Sequence, residues 1–64
     1  MESLIETLIK KENGHLEIAF DVSTQLFYGI IRDAGQVAIV SAENETISGL
    51  MDDLENECTD YLIV

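Results

Sequence analysis

The chain has 64 residues, with 13 acidic and three basic side chains, a formal net charge of -10, and 47% hydrophobic residues. This length allows one small domain, and the hydrophobic content is high enough to build a core, which excludes a disordered acidic tail. The sign of the charge argues against direct binding to nucleic acids or anionic membranes, because their phosphates would be repelled.

The negative charge is concentrated in the second half of the chain. Residues 1–32 carry five acids and three bases, whereas residues 33–64 carry eight acids and no base. Self-repulsion of this kind costs stability in a small domain, so we expect the acidic half to have a use. The charge predicts a basic protein as partner; the alternative is that the acids only keep the chain soluble.

The cellular compartment of the protein is predicted from three features of its sequence. The single cysteine, Cys58, cannot form an internal disulfide, which fits a reducing environment. The longest apolar run, residues 26–31, is far short of the roughly 20 residues that cross a bilayer. The first residues lack the basic segment of a signal peptide. We therefore expect a cytoplasmic protein.

The first element is predicted to be a short helix. Ser3, followed three residues later by Glu6, forms a capping box. The competing interpretation is a strand over residues 4–11, followed by a type I′ turn at Asn13-Gly14. The helix is favoured because the apolar residues are paired at helical spacing and do not alternate: Leu4, Ile5, Leu8 and Ile9.

Three strands are predicted next. Residues 25–32 are apolar on both faces, as in a central strand, and turn residues 33–35 separate them from a third strand over residues 37–42. These segments predict an antiparallel meander. In the first strand, which begins at His15, alternation predicts a core face made of Leu16, Ile18, Phe20 and Val22.

The last element is predicted to be a helix from about Asn44, its N-cap, to about Asp60. One face forms an apolar core stripe: Ile47, Leu50, Met51, Leu54, Cys58 and Tyr61. The opposite face and its flanks form an acidic strip: Glu45, Asp52, Asp53, Glu55, Glu57 and Asp60. Residues 1–64 are therefore predicted to be one α+β domain, with a three-stranded antiparallel sheet flanked by an N-terminal and a C-terminal helix.

Catalytic and metal-binding patterns are weak. His15 is expected to face solvent at a strand start, and Cys58 is expected to be inert in the core stripe. The acids at positions 52–57 could attract a divalent cation, but an EF-hand pattern is absent. We expect a protein that is not an enzyme and that uses no cofactor or metal.

Three segments, together with the α-β-β-β-α order, resemble a known family. Residues 24–26 read TQL at the start of the middle strand, residues 33–36 form the acidic turn DAGQ, and residues 43–47 read ENETI before the last helix. Over about residues 8–50 the chain is similar to the small prophage-encoded anti-CRISPR proteins that inhibit type II-A Cas9. This resemblance implies a phage or mobile-element protein that acts in a bacterial cytoplasm.

The resemblance implies a DNA mimic. Members of that family dock on guide-loaded Cas9, cover the site that reads the PAM, and block target DNA. The PAM is read by arginines in a positively charged channel, where carboxylates can replace phosphates and base acceptors. Asp33 matches an acidic position of the family's turn, whereas Gln36 stands where the family has an acid.

Two hypotheses follow. The first is an acidic DNA-mimic inhibitor of a basic nucleic-acid-binding protein, with guide-loaded Cas9 as the candidate, that binds through Asp33, Gln36 and the acidic strip. The second is a toxin-neutralising or adaptor module that binds through the apolar tail, residues 61–64, and an open sheet edge. The first predicts salt-sensitive binding by a monomer or weak dimer; the second predicts association that survives high salt.

Overall fold

The structure is a computed structural model that describes residues 3–63. The elements in chain order are α1 (Leu4–Glu12), β1 (His15–Asp21), β2 (Leu26–Arg32), β3 (Ala38–Asn44) and α2 (Ile47–Ile63). The strands form one antiparallel sheet in the order β1-β2-β3. The predicted α+β fold is confirmed, including the central position of the second strand.

The first segment is a helix, and the alternative strand is wrong. The Ser3 hydroxyl accepts a hydrogen bond from the backbone N–H of Glu6 at 3.1 Å, as the capping box predicts. Asn13 adopts a left-handed conformation with a φ of 54°, and the Gly14 N–H donates to the Ile9 carbonyl at 2.9 Å. The Asn13-Gly14 pair therefore ends a helix in a left-handed cap and does not form a hairpin turn.

The start of α1 is held by a side chain from the other end of the sequence. The backbone N–H groups of Leu4 and Ile5 donate to the two carboxylate oxygens of Glu55, at 3.2 and 3.1 Å. These N–H groups have no partner inside α1, and a negative charge is favourable at a helix N-terminus. Glu55 therefore ties α1 to α2.

Replacing Glu55 with alanine should lower the free energy of unfolding by about 1–2 kcal/mol, because two partly buried donors lose their acceptor. Glu57→Ala is the matched control, since Glu57 is an exposed glutamate on the same helix. Denaturant titration of both variants measures the difference. Equal destabilisation by the two substitutions would contradict the role of Glu55 as a cap.

The core is formed by α2 and the two strands β2 and β3, and α1 contributes Ile5 and Leu8 to it. Leu50 and Leu54 are fully buried, together with Ile31 of β2, and Val40 of β3 is 8% exposed. Gly29 permits close packing here, because a Cβ atom at that position would lie only 2.8 Å from a methyl group of Leu54. The centre of the predicted core stripe is confirmed.

The ends of α2 differ from the prediction. Ile47 and Tyr61 are 50% and 38% exposed, so both lie outside the core.

The N-cap of α2 is Thr46 and not the predicted Asn44. The Oγ1 atom of Thr46 accepts a hydrogen bond from the Gly49 N–H at 3.0 Å, and the helix begins after it. Asn44 ends β3 and accepts the Thr46 N–H at 3.2 Å. Its carboxamide occupies the space that a side chain at Gly49 would need.

The predicted core face of the first strand is wrong for most of its length. Leu16 pairs with the buried Ile31 and packs against the core. Ile18 and Phe20 lie on the same face, yet they are 43% and 44% exposed, and Val22 lies beyond β1. The reason is the position of α2, which packs on β3 and β2 and leaves most of β1 uncovered.

Candidate acidic interaction surface

Four acids of the predicted strip face solvent. Among residues 3–63, no side-chain hydrogen bond or ion pair involves these four acids, which we call the outer carboxylates: Glu45, Asp52, Glu57 and Asp60. Glu45 lies in the loop before α2, and the other three lie on the helix, where they span roughly 140° of its surface at 100° per residue. The outer carboxylates therefore form a broad anionic surface.

Three other predicted site residues have structural contacts. The Asp53 carboxylate accepts a hydrogen bond from the Asn44 amide at 2.9 Å, and Glu55 caps α1. Asp33 Oδ1 accepts the N–H groups of Gly35 and Val37 at 2.8 and 3.0 Å, which closes the turn between β2 and β3. Neutralising any of these three acids would change the fold and the charge together.

The predicted turn also places Gln36 in solvent. Gln36 adopts a φ of 70°, and its carbonyl accepts a hydrogen bond from the Arg32 guanidinium at 3.1 Å. The same guanidinium donates to Glu17 at 3.2 Å. A base therefore lies beside this turn, whereas the sequence of α2 contains no base.

The turn lies near the C-terminal end of α2. The Tyr61 hydroxyl donates to a carboxylate oxygen of Glu12 at 3.2 Å. This hydrogen bond and the negative charge of Glu12 raise the pKa of Tyr61, with smaller contributions from burial and from the charge of Asp33. The structure thus gathers Glu12 and Asp33 near one end of α2, and Glu12 is an acid that the sequence interpretation did not include in the surface.

The apolar tail of the second hypothesis continues α2, which ends at Ile63 and not near Asp60. Tyr61 is engaged with Glu12, and Leu62 packs against the core. Ile63 is 78% exposed, and Val64 lies outside the described residues. Two members of this tail therefore serve the fold, which leaves Ile63 as its exposed part.

The sheet face that points away from the helices is also uncovered, which the sequence interpretation missed. Tyr28 is 36% exposed although it lies on the central strand. An open cleft of about 340 Å³ is lined by residues of the paired strands β2 and β3: Tyr28, Gly29, Ile30, Ser41, Ala42 and Glu43. Apolar residues on both faces of β2 therefore indicate its central position, not burial on both sides.

The two side chains considered as catalytic candidates, His15 and Cys58, have contacts that are ordinary in a folded protein. His15 lies 2.7 Å from Glu17, measured between Nε2 and Oε2, and both side chains are more than two-fifths exposed. Cys58 is completely buried, and this burial raises the pKa of its thiol. Within residues 3–63, no group of three or more histidine, cysteine or acidic side chains could hold a metal ion.

Cys58 should react with a chromogenic disulfide reagent roughly 100-fold or more slowly in the native chain than in denaturant. Its burial blocks access, and its raised pKa keeps the thiol protonated near neutral pH. Absorbance at a fixed reagent concentration gives both rates. Similar rates in the native and denatured chain would show that the region around Cys58 opens easily.

Comparison with known proteins adds no family to these observations. The chain matches no protein-family model, and searches of curated proteins and of solved structures gave no significant match. In the part of the chain that the structure describes, neither helix is long and apolar enough to cross a membrane. Function is therefore inferred from the side chains and their contacts.

Proposed function

We propose that this chain is an acidic inhibitor that binds a basic nucleic-acid-binding protein and blocks its access to DNA. The outer carboxylates are the observation that carries the proposal. They face solvent without a hydrogen bond or ion pair in residues 3–63, so they repel one another and no such contact offsets the repulsion. A cationic partner would turn this repulsion into attraction.

Helix α2 strengthens the negative field at its own end. Its last turn contains no basic residue, and the carbonyl groups of a helix C-terminus carry roughly half a negative charge. Asp60 adds a carboxylate in this region, where a cation would be the stabilising choice. The arrangement is unfavourable for an isolated helix and favourable for contact with arginine or lysine side chains.

The proposed mechanism is competition for the cationic groups that hold DNA. Arginines that bind phosphates or guanine edges can form paired hydrogen bonds with a carboxylate in the same geometry. Guide-loaded Cas9 is the candidate target, because the resemblance to anti-CRISPR proteins points to its PAM-reading site. Asp33 and Gln36 would then extend the contact from the end of α2 onto the turn.

Capture at low ionic strength tests the proposal. The immobilised chain is exposed to a bacterial lysate treated with nuclease, and bound proteins are released by a NaCl gradient from about 50 mM to about 1 M. Purified guide-loaded Cas9 is tested on the same column. We expect nucleic-acid-binding proteins in the salt eluate, because exposed ion pairs weaken as charges are screened.

The control column carries the chain with Glu45→Gln and Glu57→Gln, two exposed substitutions away from the structural carboxylates. It should release the same proteins at lower salt. Partners that leave only in denaturant, from both columns alike, would contradict the proposal. They would support the second hypothesis, in which Ile63 or a sheet edge makes the contact.

A further inference from the structure

Strand β1 is an edge strand that lacks several of the features that commonly prevent edges from pairing, although it carries the acids Glu17 and Asp21. It pairs with β2 in a continuous register over seven residues, and it contains no proline and no lysine. The other edge strand, β3, is irregular, because its pairing with β2 has a register shift between Ile31 and Arg32. β1 is therefore the edge that can accept another strand.

The uncovered apolar face of β1 lies beside that edge. Ile18 and Phe20 are 43% and 44% exposed on the side of the sheet that carries α2. The Phe20 ring lies against Phe27 of β2, with the ring centroids 4.8 Å apart. An added strand would thus gain backbone hydrogen bonds from the edge and apolar contacts from this face.

We propose that the occupant is a second copy of this chain, paired antiparallel through β1 so that Ile18 lies opposite Ile18 of the second copy. The two sheets would then form one six-stranded sheet about a twofold axis. Such an interface is self-complementary, which is the common form of a soluble homodimer. Ile18 and Phe20 of both copies would lie side by side on one face.

The side chains of β1 fit this register, because it sets no carboxylate directly opposite another. With Ile18 on the axis, His15 of one copy lies opposite Asp21 of the other, Leu16 opposite Phe20, and Glu17 opposite the small Ala19. All seven residues pair, and no acid faces an acid. The apolar face also continues from one copy to the next, because paired positions share a face.

The neighbouring registers are poorer. A shift that puts Glu17 on the axis places two carboxylates directly opposite each other and pairs only five residues. A shift that puts Ala19 on the axis sets Glu17 opposite Asp21 twice. A register with the twofold axis midway between two of these residues would bring apolar positions opposite polar ones. The register with Ile18 on the axis is therefore the one that pairs all seven residues of β1, and it sets no acid opposite another acid.

Sedimentation of the intact chain at about 50 mM and about 500 mM NaCl tests the proposal. We expect a monomer-dimer equilibrium that becomes tighter at the higher salt, because two chains of net charge -10 repel each other at low ionic strength. Ile18→Glu should abolish the dimer by placing two carboxylates on the axis. Val22→Glu, beyond β1 and 73% exposed, adds the same charge as a control.

Single cysteines at positions 17, 18 and 19 report the register under mild oxidation, with circular dichroism to verify each fold. Only the cysteine at position 18 would face itself, so Ile18→Cys should form the covalent dimer faster than Glu17→Cys or Ala19→Cys. Buried Cys58 remains in all three variants.

Three results would overturn the proposal: a chain that stays monomeric at about 1 mM and high salt, equal effects of Ile18→Glu and Val22→Glu, or fastest cross-linking at position 17 or 19. None of them bears on the acidic inhibitor, whose partner binding weakens with salt. The opposite salt dependence keeps the two proposals separable.

Discussion

The Leu54→Ala variant is expected to lose about 2–5 kcal/mol of unfolding free energy. Leu54 is completely buried, and its methyl group lies against the backbone of Gly29, so truncation leaves a cavity between α2 and the central strand. A domain of this length has roughly 3–10 kcal/mol of stability in total. The substitution should therefore unfold a large share of the molecules at 37 °C or below.

Ile47→Ala is the control for this substitution. Ile47 lies on the same helix and is 50% exposed, so its truncation should cost about 1 kcal/mol or less. Denaturant midpoints of the two variants and the parent give the comparison. A Leu54→Ala midpoint as high as that of Ile47→Ala would contradict the packing of α2 on the sheet.

Neutralising all four outer carboxylates should lower affinity for the basic partner about 100-fold or more at low salt. The variant combines Glu45→Gln, Asp52→Asn, Glu57→Gln and Asp60→Asn. Its affinity should also depend less steeply on salt, because fewer ion pairs form. Stability should stay equal or rise slightly, since none of the four carboxylates makes a hydrogen bond or ion pair in residues 3–63 and repulsion along α2 is relieved.

A matched pair of double variants separates position from net charge. Glu45→Gln with Glu57→Gln removes two outer carboxylates, whereas Glu6→Gln with Glu43→Gln removes two exposed acids from α1 and from the far face of the sheet. Both pairs change the net charge equally. We expect a clear loss of affinity only for the first pair. Equal losses would mean that overall charge, not the surface of α2, attracts the partner.

The order of helices and strands was predictable because each depends on local signals. The capping box at Ser3 and the alternation from His15 act over a few residues, and both predicted the observed elements. The burial of Ile18 and Phe20 was not predictable in this way. Period-two alternation assigns residues to a face, but which strands a helix covers depends on how α2 packs across the finished sheet.

The acidic strip was predicted as one group because a helical projection counts charges without their contacts. The projection put Glu55 on a flank of α2, but only the packing of the helices brings it to the start of α1. The role of Asp33 has a local signal, since aspartate often accepts backbone N–H groups two residues ahead, and Gly35 supplies that group here. The sequence predicted Asn44 as the N-cap of α2 because asparagine is favoured at that position, whereas the structure has Thr46 there, two residues later.

Competition with DNA is the most direct test of the proposed function. A target protein obtained by salt elution, or guide-loaded Cas9, is titrated with labelled DNA at several fixed concentrations of this chain. The proposal predicts that the apparent Kd for DNA rises in proportion to the chain concentration, with the same final amount of bound DNA. An unchanged DNA Kd, with chain and DNA bound to the target together, would contradict it.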